Sequence, residues 1–172
     1  MRQPKFINYP DVKVIMRKDF YDEFDDQLKK IAKDTGATFF AHGFIKNYRE
    51  KDHKVSTFCN FEPWHEVYWD KYRNDDPLER TINQAVQKND FGVISWDIGH
   101  NSSPCSQERL KLTKAKDGIT FSFKRPENYI ETLYIGWNEL DSERLDTDYI
   151  LHLTSLLKPI RDYHWQVHDK VV

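Results

Sequence analysis

The chain has 172 residues, with 26 lysines and arginines against 28 aspartates and glutamates and a formal net charge of −2. This length is typical of one compact domain with its own core, and the balanced charge argues against a strongly basic nucleic-acid-binding surface. Aromatic residues make up 15% of the chain. Rings must therefore supply much of the apolar surface that the core buries.

No motif of the sequence points to a metal, a cofactor or a membrane. Cys59 and Cys105 are the two cysteines, and no metal-ligand spacing joins them to histidines. The glycines form no phosphate-binding cluster. No apolar run reaches the ~20 residues needed to span a bilayer, and the N-terminus does not have the pattern of a secretory signal. We therefore expect a cytoplasmic protein with free thiols and without cofactors.

The predicted elements, in chain order, begin with irregular residues 1–17 that include one helical turn near 12–16. Helix-period spacing predicts a first helix at 19–34, with Asp19 as its N-cap. The further elements are strands at 38–48 and 54–61, helices at 62–72 and 77–88, a strand at 91–96, a helix at 106–116 bearing Leu110 and Leu112, strands at 119–124 and 129–137, and a closing helix at 145–168 broken or kinked at Pro159. This order predicts a single α+β domain over residues 1–172, an α-β-α sandwich of PAS-like type with a central antiparallel sheet and helices on both faces.

The stretch from Cys59 to Arg80 carries the most specific pattern. Trp64, Tyr68 and Tyr72 are spaced by four residues, so a helix places the three rings on one face. Asp76-Pro77 follows, where one helix ends and another can begin. Tyr and Trp combine a large apolar body with one polar tip, which suits a small-molecule pocket. The residues alone leave two roles open for Asp76, as the N-cap of the helix at Pro77 or as a ligand contact.

The ordered motifs of this segment resemble the autoinducer-binding domain of LuxR-type quorum-sensing regulators. The matching features are the sequence NFEPW, Tyr68, Tyr72, Asp76-Pro77, the run FGVISW that ends at Trp96, and Gly118 at the opening of a strand. The order of the predicted elements also fits over nearly the whole chain. Phe61 stands where the family usually has a tyrosine.

The resemblance implies a role for each matching residue in binding an acyl-homoserine lactone. Trp64 would donate its indole N–H to the lactone carbonyl, and Asp76 would accept the amide N–H of the ligand. Tyr68 would line the acyl region, and Trp96 would close the pocket near the lactone ring. Phe61 and Tyr72 complete the predicted ligand-binding set.

The function implied by the resemblance is signal sensing by a non-enzymatic regulator domain that forms a homodimer and binds a small-molecule signal. DNA would be bound only through a helix-turn-helix domain, which is absent from this chain ending at Val172. One alternative is a small acyl transferase or hydrolase that uses Cys59 and His65. Another is a PAS-like interaction module whose core is filled by its own side chains. Ser102, His100 and Asp97 include the residue types of a catalytic triad, but their spacing matches no catalytic motif. We interpret this segment as a solvated loop.

Overall fold

The computed structural model describes residues 2–96, 102–139 and 146–170. Seven strands form one sheet in the order β1-β2-β4-β3-β7-β6-β5. They are β1 (Lys5–Asn8), β2 (Lys13–Met16), β3 (Phe39–Lys46), β4 (Lys54–Cys59), β5 (Phe91–Ser95), β6 (Asp117–Arg125) and β7 (Tyr129–Trp137). All neighbouring strands are antiparallel except β2 and β4, which are parallel.

Helices cover both faces of this sheet. They are α1 (Phe20–Thr35), α2 (Glu62–Val67), α3 (Pro77–Asn89), α4 (Pro104–Thr113), α5 (Thr147–Leu156) and α6 (Lys158–Val167), and a π-helical turn at Tyr68–Tyr72 extends α2. The apolar side chains of α1, α5 and α6 form one core with the sheet, and those of α2, the π-helical turn, α3 and α4 form a second core on the other face. The predicted α+β sandwich is therefore confirmed.

Strand alternation divides the side chains of the central strands between these two cores. In β3, Phe40 belongs to the core beneath α1, α5 and α6, whereas Phe39 belongs to the core beneath α2, α3 and α4. Successive side chains of a strand point to opposite faces, so a strand covered on both sides buries both sets. The aromatic and β-branched runs of the sequence supply both sets.

The prediction for the first 17 residues is wrong, because they form the hairpin β1–β2 instead of an irregular segment with a helical turn. Val14 and Met16 are buried against Val55 and Trp69. Strands of four residues give almost no periodic signal, and the pairing of β2 with β4 is parallel and distant in sequence. The local sequence therefore does not show the partner that stabilises this hairpin.

Two helix boundaries also differ from the prediction. Asp19 makes no capping hydrogen bond, because its carboxylate accepts a bond of 2.6 Å from Arg17 Nη2 instead. The closing helix is divided into α5 and α6 at Leu157, and Pro159 lies in the first turn of α6. Proline is tolerated there because the first N–H groups of a helix have no intrahelical acceptor. The predicted start of that helix at 145 lies outside the described residues.

A buried polar chain joins α6 to the sheet. Ser56 Oγ lies 2.8 Å from His164 Nε2, the two histidine Nδ1 atoms of His164 and His42 lie 2.8 Å apart, and His42 Nε2 lies 2.8 Å from Glu131 Oε1. Arg161 Nε donates to the same carboxylate oxygen at 2.7 Å. An ionised carboxylate only accepts, so His42 donates to Glu131, His164 donates to His42, and Ser56 donates to His164. Every side chain of this polar chain has a hydrogen-bond partner while both histidines are neutral.

Burial and charge fix these protonation states. Burial lowers the pKa of His42 and that of His164. Burial acts to raise the pKa of Glu131, but the hydrogen bonds from His42 and Arg161 outweigh it and bring that pKa to about 2. Burial also lowers the pKa of His65, on the other face of the sheet, to about 3. The folded protein thus holds three buried neutral histidines.

Close packing of Trp96 against two glycines fixes the end of the sheet. Trp96 is fully buried, and its indole N–H donates to Thr120 Oγ1 at 2.8 Å. A methyl group added at Gly118 would lie 2.3 Å from Trp96 Cε3, and one added at Gly136 would lie 3.0 Å from the same ring. Gly118 is therefore required by the ring that lies on it.

Within the described ranges, no helix is long and apolar enough to cross a membrane.

We predict that the free energy of unfolding decreases as the pH falls from about 7.5 to about 5.5. The unfolded chain binds protons at its histidines near pH 6.5, whereas buried histidines with lowered pKa values do not. Each histidine that stays neutral costs about 1.4 kcal/mol over this interval. Urea unfolding at several pH values measures the effect. His65→Gln should reduce the slope and the exposed-site control His152→Gln should not; equal slopes in all three proteins would contradict the assignment.

We also predict that Gly118→Ala destabilises the fold by about 2 kcal/mol, because the methyl group forces the buried Trp96 ring to move. Gly43→Ala is the matched control, since its methyl group would lie 3.4 Å from its nearest neighbour, Ser56 O. Thermal unfolding of the two variants compares them. Equal losses of stability would show that the ring is not held against Gly118.

Candidate functional site

A cavity of about 660 Å³ lies between the sheet and the segments α2, π-helical turn, α3 and α4. Strands β3, β4 and β7 form its floor with Phe39, Ala41, Gly43, Ile45, Val55, Thr57, Cys59, Thr132 and Tyr134. Its mouth is formed by the β1–β2 turn, the β3–β4 turn and the residues that follow the π-helical turn. The volume is typical of a small-molecule site. The interior is therefore not filled by its own side chains. The interaction-module alternative requires a filled interior.

Three of the predicted ligand-binding residues line this cavity, namely Trp64, Tyr68 and Asp76. The rings of Trp64 and Tyr68 lie 5.8 Å apart. Trp64 is 5% exposed, and its Nε1 makes no hydrogen bond to a described residue. Trp69 Nε1 is fully buried and likewise has no partner among the described residues. An indole N–H is a donor only, so it is available to an acceptor in the cavity.

The other three predicted residues support the wall from behind. Tyr72 is buried with its ring 5.9 Å from that of Trp64. Phe61 packs at the edge of the same core, where it precedes α2. Trp96 is buried beneath the wall and is absent from the lining. Their direct contact with a ligand stays a prediction.

A π-helical turn at Tyr68–Tyr72 replaces the regular helix that the sequence predicts. The wider turn places Trp69 beside Tyr68, with ring centroids 5.5 Å apart and nearly perpendicular planes. Both rings line the cavity. A π-helical turn is uncommon, and such turns are frequent at functional sites. A spacing of four residues between aromatics cannot reveal this widening.

Asp76 is the N-cap of α3, which is one of the two roles that the sequence left open, and it also lines the cavity. Its Oδ1 accepts the backbone N–H of Leu78 at 2.9 Å, at the start of α3. The nearby Tyr68 hydroxyl acts to lower the pKa of the carboxyl group. Burial raises the pKa of Asp76, and the nearby positive charge of Arg109 opposes that effect. With 6% of its surface exposed, the side chain is a buried acceptor at the polar end of the cavity.

Arg109 is the functional residue that sequence reasoning missed. It is 5% exposed, lines the cavity and places its Cζ 4.1 Å from the centroid of the Trp96 ring. Burial lowers the pKa of Arg109, and the charge of Asp76 opposes this. The two leucines that the sequence analysis noted on this helix do not mark its buried face, since Leu110 is 40% exposed. The buried face instead carries Cys105, Arg109 and Thr113, whose four-residue spacing has no apolar signature.

A second acidic residue, Glu79, also lines the cavity. Burial raises the pKa of Glu79, and the nearby Tyr48 hydroxyl opposes this. Asn83 Nδ2 donates to its carboxylate at 2.9 Å. At the mouth, Arg73 Nη1 is 2.7 Å from Asp11 Oδ1 and joins the β1–β2 turn to the end of the π-helical turn.

The residues of the enzymatic alternative are not arranged for catalysis. Burial raises the pKa of the Cys59 thiol to about 12, so it is not a thiolate at neutral pH. Cys59 Sγ donates to Phe61 O at 3.5 Å, while His65 Nε2 lies 3.3 Å from Thr57 Oγ1. Cys59 Sγ and His65 Nε2 therefore do not form a hydrogen-bonded nucleophile–base pair. His100 and Asp97 lie outside the described residues, so the structure does not describe the Ser102, His100 and Asp97 set.

Within the described parts of the chain, no group of three His, Cys, Asp or Glu side chains is placed to hold a metal ion. No protein-family model matches the sequence, and no curated protein is significantly similar to it. The similarity to known proteins is therefore one of structure.

Solved structures share the fold at low sequence identity. A crystal structure of Escherichia coli SdiA aligns with 91% of this chain at a TM-score of 0.61 and 15% identity. A structure of SdiA in complex with octanoyl-rac-glycerol aligns with 91% at 0.62 and 15% identity. The chain spans 65% and 64% of those two SdiA chains.

A third structure is that of CepR2 from Burkholderia cenocepacia, described as an N-acylhomoserine lactone-dependent transcription factor of the LuxR family. It aligns with 84% of this chain and 89% of its own at a TM-score of 0.54 and 13% identity. The resemblance that the motifs predict is thus confirmed at the level of the fold. The chain has the fold of the autoinducer-binding domain of LuxR-type regulators.

Proposed function

We propose that this chain is the ligand-sensing domain of a LuxR-type transcription regulator and binds an acyl-homoserine lactone or a related amphipathic acyl amide. The observation that carries the proposal is the buried carboxylate of Asp76, which lines a cavity of about 660 Å³ together with the indole of Trp64. The shared fold supports the same class, since the comparison proteins include a lactone-dependent regulator and a complex with an acyl glycerol.

The polar end of the cavity is complementary to an amide. Asp76 accepts, so it suits an amide N–H, and Trp64 donates, so it suits a carbonyl oxygen. A hydrogen bond to an ionised acceptor is stronger than a neutral one and is strengthened further by burial. Apolar side chains also line the cavity, including Phe39 and Val55 on the floor and Leu78 on α3, and are available to an acyl chain. A ligand with one amide and one alkyl tail satisfies both parts.

The proposed mechanism is binding without catalysis. A ligand enclosed between the sheet and α2–α4 stabilises the folded form by mass action and favours the conformations that hold it. In the proposed regulator, this domain acts in the cytoplasm as a homodimer. Its signal passes to DNA through a separate helix-turn-helix domain.

We predict that an acyl amide of suitable chain length raises the midpoint of thermal unfolding by roughly 5–10 °C at about 100 times its dissociation constant. The test panel contains homoserine lactones and their ring-opened acids with butanoyl, octanoyl and dodecanoyl chains. Octanoic acid alone is the control that has the tail without the amide. If no member of either series shifts the midpoint, the proposed function is wrong.

We predict that Asp76→Ala weakens binding of the best acyl amide roughly 10- to 100-fold, because a charge-assisted hydrogen bond is lost. It should also cost about 1 kcal/mol of stability, because Leu78 loses its cap. Asp146→Ala is the matched control, since Asp146 caps α5 through Tyr149 N at 2.8 Å on the other face of the sheet. Titration calorimetry should show full affinity in the control; equal losses in both variants would remove Asp76 from the ligand contact.

A further inference from the structure

The guanidinium of Arg109 is a buried cation without a hydrogen-bonded partner in the described part of the chain. Its Nε is buried and unpaired, and no side-chain or backbone acceptor of the described residues meets its other nitrogens. Its contact is the face of the Trp96 ring at 4.1 Å. A buried charge is costly unless it is paired, so a group that pairs with Arg109 would lower the free energy of the site.

Asp76 is the carboxylate whose charge acts on Arg109, but the two side chains share no hydrogen bond. Asp76 Oδ1 accepts from Leu78 N, and the relation of Asp76 to Arg109 is electrostatic. The Nη donors of Arg109 are therefore left to the cavity that both residues line. A guanidinium presents a planar fork of N–H groups that matches the two oxygens of a carboxylate.

We propose that Arg109 binds a carboxylate of the ligand, so that the signal is an N-acyl amino acid and the closed, neutral lactone is the weaker ligand. This inference rests on the proposed function and specifies its ligand class. Asp76 would hold the amide N–H, and Arg109 would hold the carboxylate.

The chemistry of an N-acyl amino acid fits this pair of residues. Its amide nitrogen and its carboxylate are attached to one carbon atom, so the donor and the anion lie side by side at one end of the molecule. Asp76 and Arg109 likewise both line the cavity, act on each other electrostatically and have opposite charges. The alkyl tail then extends over the apolar floor. A lactone offers the same donor and tail, but only a neutral ester to the cation.

Trp96 gives Arg109 a fixed position for this role. The ring is held by Thr120 and packed on Gly118, so the guanidinium stacked on it has a rigid support. A pre-organised cation loses less conformational entropy when it binds than a mobile one does. The Trp96 ring covers the guanidinium on one side, and the Nη groups remain for the ligand.

The experiment compares three ligands with one acyl chain: an N-acyl-homoserine lactone, the ring-opened N-acyl-homoserine acid and its neutral carboxamide. Butanoyl, octanoyl and dodecanoyl chains are measured by calorimetry on the wild-type chain, with lactone integrity checked by mass spectrometry. We expect the acid to bind at least about 10-fold more tightly than the lactone and the carboxamide. Equal or tighter binding of the lactone overturns this inference and leaves the proposed function intact. No binding in any series overturns both.

Variants then assign the preference to Arg109. Arg109→Met keeps much of the side-chain volume without the charge and should remove the preference for the acid, while Arg109→Lys should keep part of it. Lys111→Met, at an exposed position of the same helix, is the matched control and should retain the full preference. If Arg109→Met leaves the preference for the acid unchanged, the carboxylate is bound elsewhere and the inference is wrong. If Arg109→Met fails to fold, the comparison of the three ligands on the wild-type chain still tests the inference.

Discussion

A carboxylate buried between a sheet and several helices must be stabilised, and Asp76 lies where three separate elements contribute. Leu78 N in the first turn of α3 donates to it, and the Tyr68 hydroxyl of the π-helical turn and the positive charge of Arg109 on α4 favour its ionised form. The relative placement of these elements follows from this requirement, because a displaced element would leave the charge unpaired. The cavity is the space that remains once the three are held around one side chain.

Two buried sets of polar groups differ in how completely they are hydrogen-bonded. Beneath α6, the chain from Ser56 through His164 and His42 to Glu131 is satisfied at every member by protein atoms. In the elements around the cavity, Trp69 Nε1 and Arg109 Nε are buried donors that no described residue accepts. A fully satisfied network is typical of a structural connection. An incomplete network beside a cavity is typical of a binding site, where a ligand supplies the missing atoms.

The α+β sandwich and one wall of the cavity could be predicted from the sequence because their signals are local. Trp64, Tyr68 and Asp76 are close in sequence, and helical spacing alone places them near one another. Arg109 comes from a helix whose buried face carries Cys105 and Thr113, so no apolar periodicity marks its inner side. The hairpin β1–β2 was missed because its stability depends on β4, which follows about 40 residues later. The π-helical turn changes a spacing that sequence patterns assume to be regular.

The parallel pairing of β2 with β4 has a consequence for access to the cavity. The hairpin β1–β2 is the outer edge of the sheet, its turn forms part of the cavity mouth, and the ion pair of Asp11 with Arg73 fastens it to the π-helical turn. An edge hairpin can separate from a sheet at a lower free energy than the global unfolding requires. Transient release of this hairpin would uncover the mouth while the other five strands stay paired. Solute exchange with the interior would then be governed by the fraying of the chain's own N-terminal edge.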